Sequence, residues 1–213
     1  MLGLNIDPAM LVAVAIFLVV GFPVHEFSHA LAAYRLGDGT AKLFGRLTLN
    51  PLVHLDPMGS AILVLSALVG GFFIGWAKPT PINPAMLRGG RRAEAWVAAA
   101  GPLSNLAMAI LAAIALRLMV AMDLASSDAV LFVANVVYVF IFINAALFIF
   151  NLIPIPPLDG SRVLYAFAPE PLQRFMAQIE PYGFFIIIGL VLAGGLGPLI
   201  THLNSSVLRL LVG

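Results

Sequence analysis

Residues 9–33 decide how this chain folds, and they read AMLVAVAIFLVVGFPVHEFSHALAA. A helix needs about 20 mostly apolar residues to cross a bilayer, so this stretch predicts a membrane-spanning helix. Three ionisable side chains interrupt it, those of His25, Glu26 and His29. An ionisable group inside the hydrocarbon region is costly unless it is paired or solvated. The three together therefore predict a functional site within the membrane.

The composition of the whole chain indicates an integral membrane protein. Of its 213 residues, 62% are hydrophobic and 10% are charged, and the mean hydropathy is +1.05. We therefore expect an all-α polytopic membrane protein with about five to six transmembrane or re-entrant helices. The apolar stretches that predict them are residues 9–33, 60–76, 94–121, 129–153 and 182–200.

Charge and cysteine content exclude two classes of site. The formal net charge is +1 and the Lys and Arg residues are scattered, so the chain has no basic surface for nucleic acid. It has no cysteine, so histidine and carboxylate are the side chains left to bind a transition metal. Association into a homo-oligomer is left open.

The stretch 60–76 has basic residues on both sides. Basic residues favour the cytoplasmic side of short loops, so a full crossing here would break that rule. We expect this glycine-rich stretch to enter the membrane and return to the same side, the alternative being an ordinary span. The first helix then ends in the cytoplasm near Leu36, and the site opens to the cytoplasmic side of a plasma membrane. His25 lies about 16 Å from that helix end.

Residues 40–49 show glycine turn signals and a loose alternation of polar and apolar side chains. This pattern predicts a small β-hairpin at the membrane face. Such a hairpin would leave an exposed edge to which an extended chain can add as a further strand.

His25-Glu26-Phe27-Ser28-His29 fits the pattern H-E-x-x-H. On a helix, residues four apart share a face, so both imidazoles can reach one metal ion. Glu26 can then serve as general base toward a water that the metal activates. The alternative is a polar cluster that bridges helices without a metal.

A catalytic zinc site needs a third protein ligand, and Asp159 is the best candidate. It follows an apolar span in the sequence NLIPIPPLDG at residues 151–160, where three prolines end the helix and force extended backbone. The alternative is that Asp159 caps the following helix. His54, in the loop before residues 60–76, could be an accessory metal ligand or a substrate contact. A locally hydrogen-bonded loop histidine is the simpler interpretation.

Taken together, these motifs resemble the site-2 protease family of intramembrane metalloproteases in its short bacterial form. The resemblance covers nearly the whole chain. It is carried by HEFSH at 25–29, NPLVHLDPMG at 50–59, GWAKP at 75–79, GPLSN at 101–105 and NLIPIPPLDG at 151–160.

The resemblance implies one intramembrane metalloprotease domain over residues 1–213, with zinc as cofactor and transmembrane proteins of the lipid bilayer as substrates. Carried over by position, His25, His29 and Asp159 are the zinc ligands and Glu26 is the base. Asn151 resembles the residue that positions substrate or steadies the oxyanion. Asn105 resembles a family asparagine near the site, with a less defined role.

The rival hypothesis is a membrane metal-ion transporter, or a metal-binding protein without hydrolytic activity. Broken helices and carboxylates near the midplane also occur in transporters. Against it stands Glu26, which a structural metal site does not need between its histidines. The sequence also lacks the repeated halves that are typical of transporters.

Overall fold

The computed structural model describes residues 7–69, 75–122 and 127–213. Within these ranges every regular element is helical. The helices are α1 (Pro8–Arg35), α2 (Pro57–Val69), α3 (Gly90–Ala121), α4 (Asp128–Asn151), α5 (Asp159–Phe167), α6 (Glu170–Leu192) and α7 (Leu196–Val212). Single helical turns at Thr40–Leu43, Pro51–His54 and Pro84–Met86 lie between them.

Four of the described helices, α1, α3, α4 and α6, are long and apolar enough to cross a membrane, and α2 is a shorter apolar helix. The predicted all-α membrane fold is therefore confirmed. α6 contains one 3-10 turn, at Glu180–Tyr182.

α1 changes its hydrogen bonding midway, from α to π over Phe17–Gly21. The change comes just before Pro23, which has no backbone N–H to donate to the preceding turn. Phe22 instead donates to the carbonyl of Phe17. The helix then continues through the HEFSH motif to Arg35.

α3 is the central helix, in contact with α1, α4, α5 and α7. Small side chains let its neighbours approach closely, as is usual where lipid supplies no hydrophobic force between helices. Ala109 and Ala113 are buried against Ile141 of α4 and Leu208 of α7. Another buried cluster joins α1, α2 and α4 through Phe17, Leu63 and Ile143. α3 thus brings the first and later parts of the chain together.

The predicted β-hairpin at 40–49 is wrong. Asp38 accepts a hydrogen bond from the N–H of Thr40 at 2.9 Å and so starts a helical turn. Gly45, at φ +69°, ends that turn, and the N–H of Arg46 reaches back to the carbonyl of Ala41 at 2.8 Å. The glycines at 39 and 45 therefore bound a helical turn, and no strand edge forms here.

The two sides of the stretch 60–76 lie next to each other. Leu55 and Ala77 form an isolated antiparallel bridge, and the N–H of Lys78 donates to the carbonyl of His54 at 2.8 Å. A straight crossing would separate such residues by about 30 Å, the thickness of the hydrocarbon core. The pairing therefore favours re-entry over a full span.

Re-entry can be tested by thiol labelling, since the chain has no native cysteine. We expect Asp56→Cys and Arg88→Cys to react with an impermeant reagent from the same side of sealed vesicles. Asp128→Cys, beyond the spanning helix α3, serves as the control and should react from the other side. Labelling of positions 56 and 88 from opposite sides would contradict re-entry.

Candidate metal centre

Three side chains converge from distant parts of the sequence. The Nε2 atoms of His25 and His29 lie 3.1 Å apart. Each lies 3.4 Å from Oδ2 of Asp159. Among the described residues, these three form the group of histidine and acidic side chains close enough to hold one metal ion. Both imidazoles are buried, and the carboxylate is partly buried.

The spacing of these atoms fits a zinc ion. Zinc binds histidine nitrogen and carboxylate oxygen at about 2.0–2.2 Å in tetrahedral geometry, which puts neighbouring ligand atoms about 3.3–3.6 Å apart. The separations of 3.1, 3.4 and 3.4 Å are close to this edge length. Three protein donors leave a fourth position open, as in catalytic zinc sites.

A hydrogen bond from behind sets the orientation of the His29 ring. Its Nδ1 lies 2.7 Å from the carbonyl oxygen of Val97 on α3. Since a carbonyl only accepts, Nδ1 carries a proton and donates, which leaves Nε2 as the ring atom that can bind a metal ion shared with Asp159. Nδ1 of His25 has no hydrogen-bond partner within the described ranges.

Gly101 of α3 lies directly against the two imidazoles. A Cβ at this position would overlap the His29 ring and would lie 2.7 Å from Cε1 of His25. A side chain at Gly101 would therefore have to displace at least one ring, so glycine is required by this close approach.

Asp159 is the first residue of α5, and Leu158 is the N-cap. The aspartate is therefore not the capping residue, and its carboxylate faces the two histidines. Gly160 allows this placement, because a Cβ there would lie 2.8 Å from the carbonyl oxygen of Ile153. The turn that brings Asp159 to the histidines thus packs tightly on the end of α4.

Glu26 is buried, and within the described ranges its carboxylate accepts hydrogen bonds from one residue, Thr80. The N–H of Thr80 lies 3.0 Å from Oε2 of Glu26, and its hydroxyl lies 2.8 Å from the same oxygen. The hydroxyl is also 3.2 Å from the backbone carbonyl of Glu26. Thr80 therefore holds the carboxylate of the residue that directly follows the metal-binding candidate His25 on α1.

The remaining sequence candidates differ in their surroundings. Asn105, one turn after Gly101 on α3, is fully buried, and neither of its amide atoms has a partner in the described ranges. Asn151 ends α4, and its Nδ2 donates to the carbonyl of Leu147 at 3.1 Å. His54 is outside the converging group. Its Nε2 makes a local contact of 2.7 Å with the carbonyl oxygen of Thr48.

Sequence reasoning missed three contributors to the site. Gly101 lies within the GPLSN motif, but no sequence pattern gives it a role, and none indicates that the Val97 carbonyl faces His29. Thr80 directly follows the GWAKP motif of the resemblance and lies between Pro79 and Pro81, which restrict its backbone. These features suggest a loop that borders the site, but they do not reveal the contact with Glu26.

Comparison with known proteins finds one matching family model and several similar proteins that are named zinc metalloproteases. A family model described as "Peptidase family M50" matches residues 118–193. The Bacillus subtilis (strain 168) protein named "Putative zinc metalloprotease YwhC" is 40% identical over 200 residues, which cover 92% of this chain and 89% of the relative.

Two mycobacterial proteins, both named "Putative zinc metalloprotease Rip2", are also similar. The one from Mycolicibacterium smegmatis is 32% identical over 201 residues, 90% of this chain and 73% of the relative. The one from Mycobacterium tuberculosis (strain H37Rv) is 32% identical over 196 residues, 90% of this chain and 72% of the relative. No solved structure matches the chain significantly.

The converging donors, the apolar helices and these relatives define the class of protein, a zinc metalloprotease of the membrane. The chain belongs to peptidase family M50, the site-2 protease family. The resemblance drawn from its motifs is thereby confirmed, and so is zinc as the cofactor.

The close approach of Gly101 predicts a sharp effect of a single methyl group. We expect Gly101→Ala to lower zinc affinity by about 10- to 100-fold, the usual effect of disturbing the groups that orient metal ligands. Zinc content of the purified protein after dialysis against a weak chelator measures this. Gly189→Ala is the matched control, because a Cβ there meets nothing within 4 Å. Equal zinc retention in both variants would contradict the packing argument.

Proposed function

We propose that this zinc metalloprotease hydrolyses peptide bonds within or near the transmembrane segments of membrane-protein substrates, that is, by regulated intramembrane proteolysis. In this proposal His25, His29 and Asp159 bind the zinc and Glu26 is the general base. The whole chain, residues 1–213, acts as one metalloprotease domain. It is a multi-pass protein of the plasma membrane whose active site opens to the cytoplasm.

The observation that carries the proposal is the convergence of three metal-binding side chains beside a buried glutamate. The three donor atoms lie within 4.8 Å of one another. Glu26 is adjacent in sequence to His25 and is only 9% exposed. A site that only stores or transports a metal has no need for a buried carboxylate outside the donor group. A hydrolase needs one to accept a proton.

The site's depth supports a substrate within the membrane. α1 ends at Arg35, ten residues after His25, so the histidine lies about 15 Å from the helix end. A soluble peptide would meet the lipid-facing helices first. A transmembrane segment is already at the depth of the site.

The chemistry follows from the donors present. Zinc held by this group would act as a Lewis acid, lowering the pKa of water towards about 7 and polarising the scissile carbonyl. Glu26 accepts the proton of the attacking water and then returns a proton to the leaving amine. Asn105, whose buried amide has no partner in the described ranges, is a candidate donor to the oxyanion. Asn151 would first have to release its bond to Leu147.

The substrate helix must unwind before it can be cleaved. The segment 40–49 does not offer a strand to receive it, since it forms a helical turn. We therefore propose no added strand at 40–49, and the proposal for the substrate is limited to its class, the transmembrane segment of a membrane protein.

The function is tested by pairing zinc content with proteolysis of a model transmembrane substrate in detergent. We expect Glu26→Gln to keep its zinc and to lose cleavage by at least about 100-fold, because the general base is removed and the donors remain. Glu170→Gln is the matched control, since Glu170 is exposed and forms an ion pair with the equally exposed Arg174 at 3.3 Å. This control should cleave like the wild type.

Two results would contradict the proposal. Equal cleavage by wild type and Glu26→Gln would show that Glu26 is not the general base. Binding or release of zinc without cleavage of any transmembrane substrate by the wild type would favour the metal-ion transporter or the non-hydrolytic metal-binding protein.

A further inference from the structure

Residues 78–88, which we call the strap, run beside α1 and are hydrogen-bonded to residues of that helix and the turn after it. Thr80 contacts Glu26. The N–H of Asn83 donates to Oδ2 of Asp38 at 2.7 Å. The N–H of Arg88 donates to the carbonyl of Leu36 at 2.7 Å. These attachments fix the strap against the helix that carries the HEFSH motif.

The contact between Thr80 and Glu26 uses one carboxylate oxygen. Both the N–H and the hydroxyl of Thr80 point to Oε2, at 3.0 and 2.8 Å. Within the described ranges, every hydrogen bond to this carboxylate comes from Thr80. Hydrogen bonds to an ionised group are about twice as strong as neutral ones, so two on one oxygen hold the side chain firmly. The other oxygen, Oε1, is left to accept a proton.

The backbone at Thr80 is restricted before it meets Glu26. Pro79 and Pro81 flank it, and a residue that precedes a proline is confined to extended conformations. Neither proline has an N–H, so Thr80 supplies the only backbone donor between residues 79 and 81. Both donors of Thr80 are thus presented to Glu26 by a segment with little freedom to turn away.

The strap is also held at its other end. Asp38 is fully buried. Burial alone opposes its charge, but hydrogen bonds from Thr40 and from the Asn83 N–H outweigh this and hold the pKa of Asp38 below its ordinary value. Asp38 is therefore ionised at neutral pH and binds both N–H groups strongly. Leu87 is buried in a cluster with Ala33 and Val97 and adds an apolar anchor.

We infer that Thr80 is a positioning residue that orients Glu26 for proton transfer. The inference rests on the proposed function, in which Glu26 is the general base. A free glutamate side chain has three rotatable bonds, and only a few of its conformations place a carboxylate oxygen near the converging donors. Thr80 selects among them by binding Oε2. Its hydroxyl is the part that mutation can remove while the backbone N–H stays.

The test compares three variants of the full-length protein with the transmembrane substrate used above. We expect Thr80→Val to lower kcat by about 10- to 100-fold, because a misplaced catalytic group can cost two orders of magnitude. Zinc content and KM should stay close to those of the wild type. Thr80→Ser keeps the hydroxyl and should restore most of the lost kcat. Thr201→Val, at an exposed position on α7, is the matched control and should change nothing.

The serine variant separates positioning from packing. A merely structural role for the methyl and hydroxyl groups would lower the activity of both Thr80→Ser and Thr80→Val, and would also reduce zinc content. Unchanged kcat in Thr80→Val, or a higher kcat, would overturn the inference. A higher kcat in Thr80→Val would mean that the hydroxyl of Thr80 holds Glu26 in a less active position.

Failure of this inference is distinguishable from failure of the proposed function. If Glu26→Gln cleaves normally, the base is misassigned and both proposals fall. If Glu26→Gln is inactive with zinc bound while Thr80→Val cleaves like the wild type, Glu26 remains the base and only the role of Thr80 is wrong.

Discussion

The structure depends on one constraint, the absence of bulk water around polar groups inside a bilayer. His25, Glu26 and His29 lie on a helix that is apolar enough to span the membrane, and each would be unfavourable there alone. In this fold each of the three side chains has a polar partner. Asp159 meets the two imidazoles, and Thr80 meets the glutamate. These two contacts join distant parts of the chain and give each polar side chain of the cluster a partner.

α3 supplies a hydrogen-bond acceptor for His29 and leaves the space that the two imidazoles occupy. The carbonyl of Val97 accepts a hydrogen bond from His29, and Gly101 one turn later leaves room for both imidazoles. The same helix then continues into small residues, Ala109 and Ala113, that pack α4 and α7 closely. Metal chemistry and helix packing are thus coupled in one element. A change in the spacing of residues along α3 would therefore disturb both the zinc donors and the packing of α3 on its neighbours.

The sequence predicted the features that depend on the spacing of residues within a short segment. The H-E-x-x-H spacing placed two imidazoles on one face, and the proline-rich approach to Asp159 indicated a carboxylate brought to a helix end. It could not predict contacts that depend on how separate segments pack, such as Thr80 on Glu26 or Gly101 on the histidines. The hairpin prediction for 40–49 failed because the alternation does not reveal that Asp38 accepts a hydrogen bond from the N–H of Thr40, where a helical turn begins. The roles of Asn105, Asn151 and His54 remain predictions.

The central claim is that two imidazoles and the Asp159 carboxylate surround one zinc ion. Zinc X-ray absorption spectroscopy on the purified protein tests it most directly. The account predicts two imidazole ligands and further oxygen or nitrogen ligands at about 2.0–2.2 Å. It also predicts that His29→Ala shows one imidazole fewer and that Asp159→Ala binds zinc more weakly. A wild-type spectrum without imidazole scattering, or zinc coordination unchanged in both variants, would contradict it.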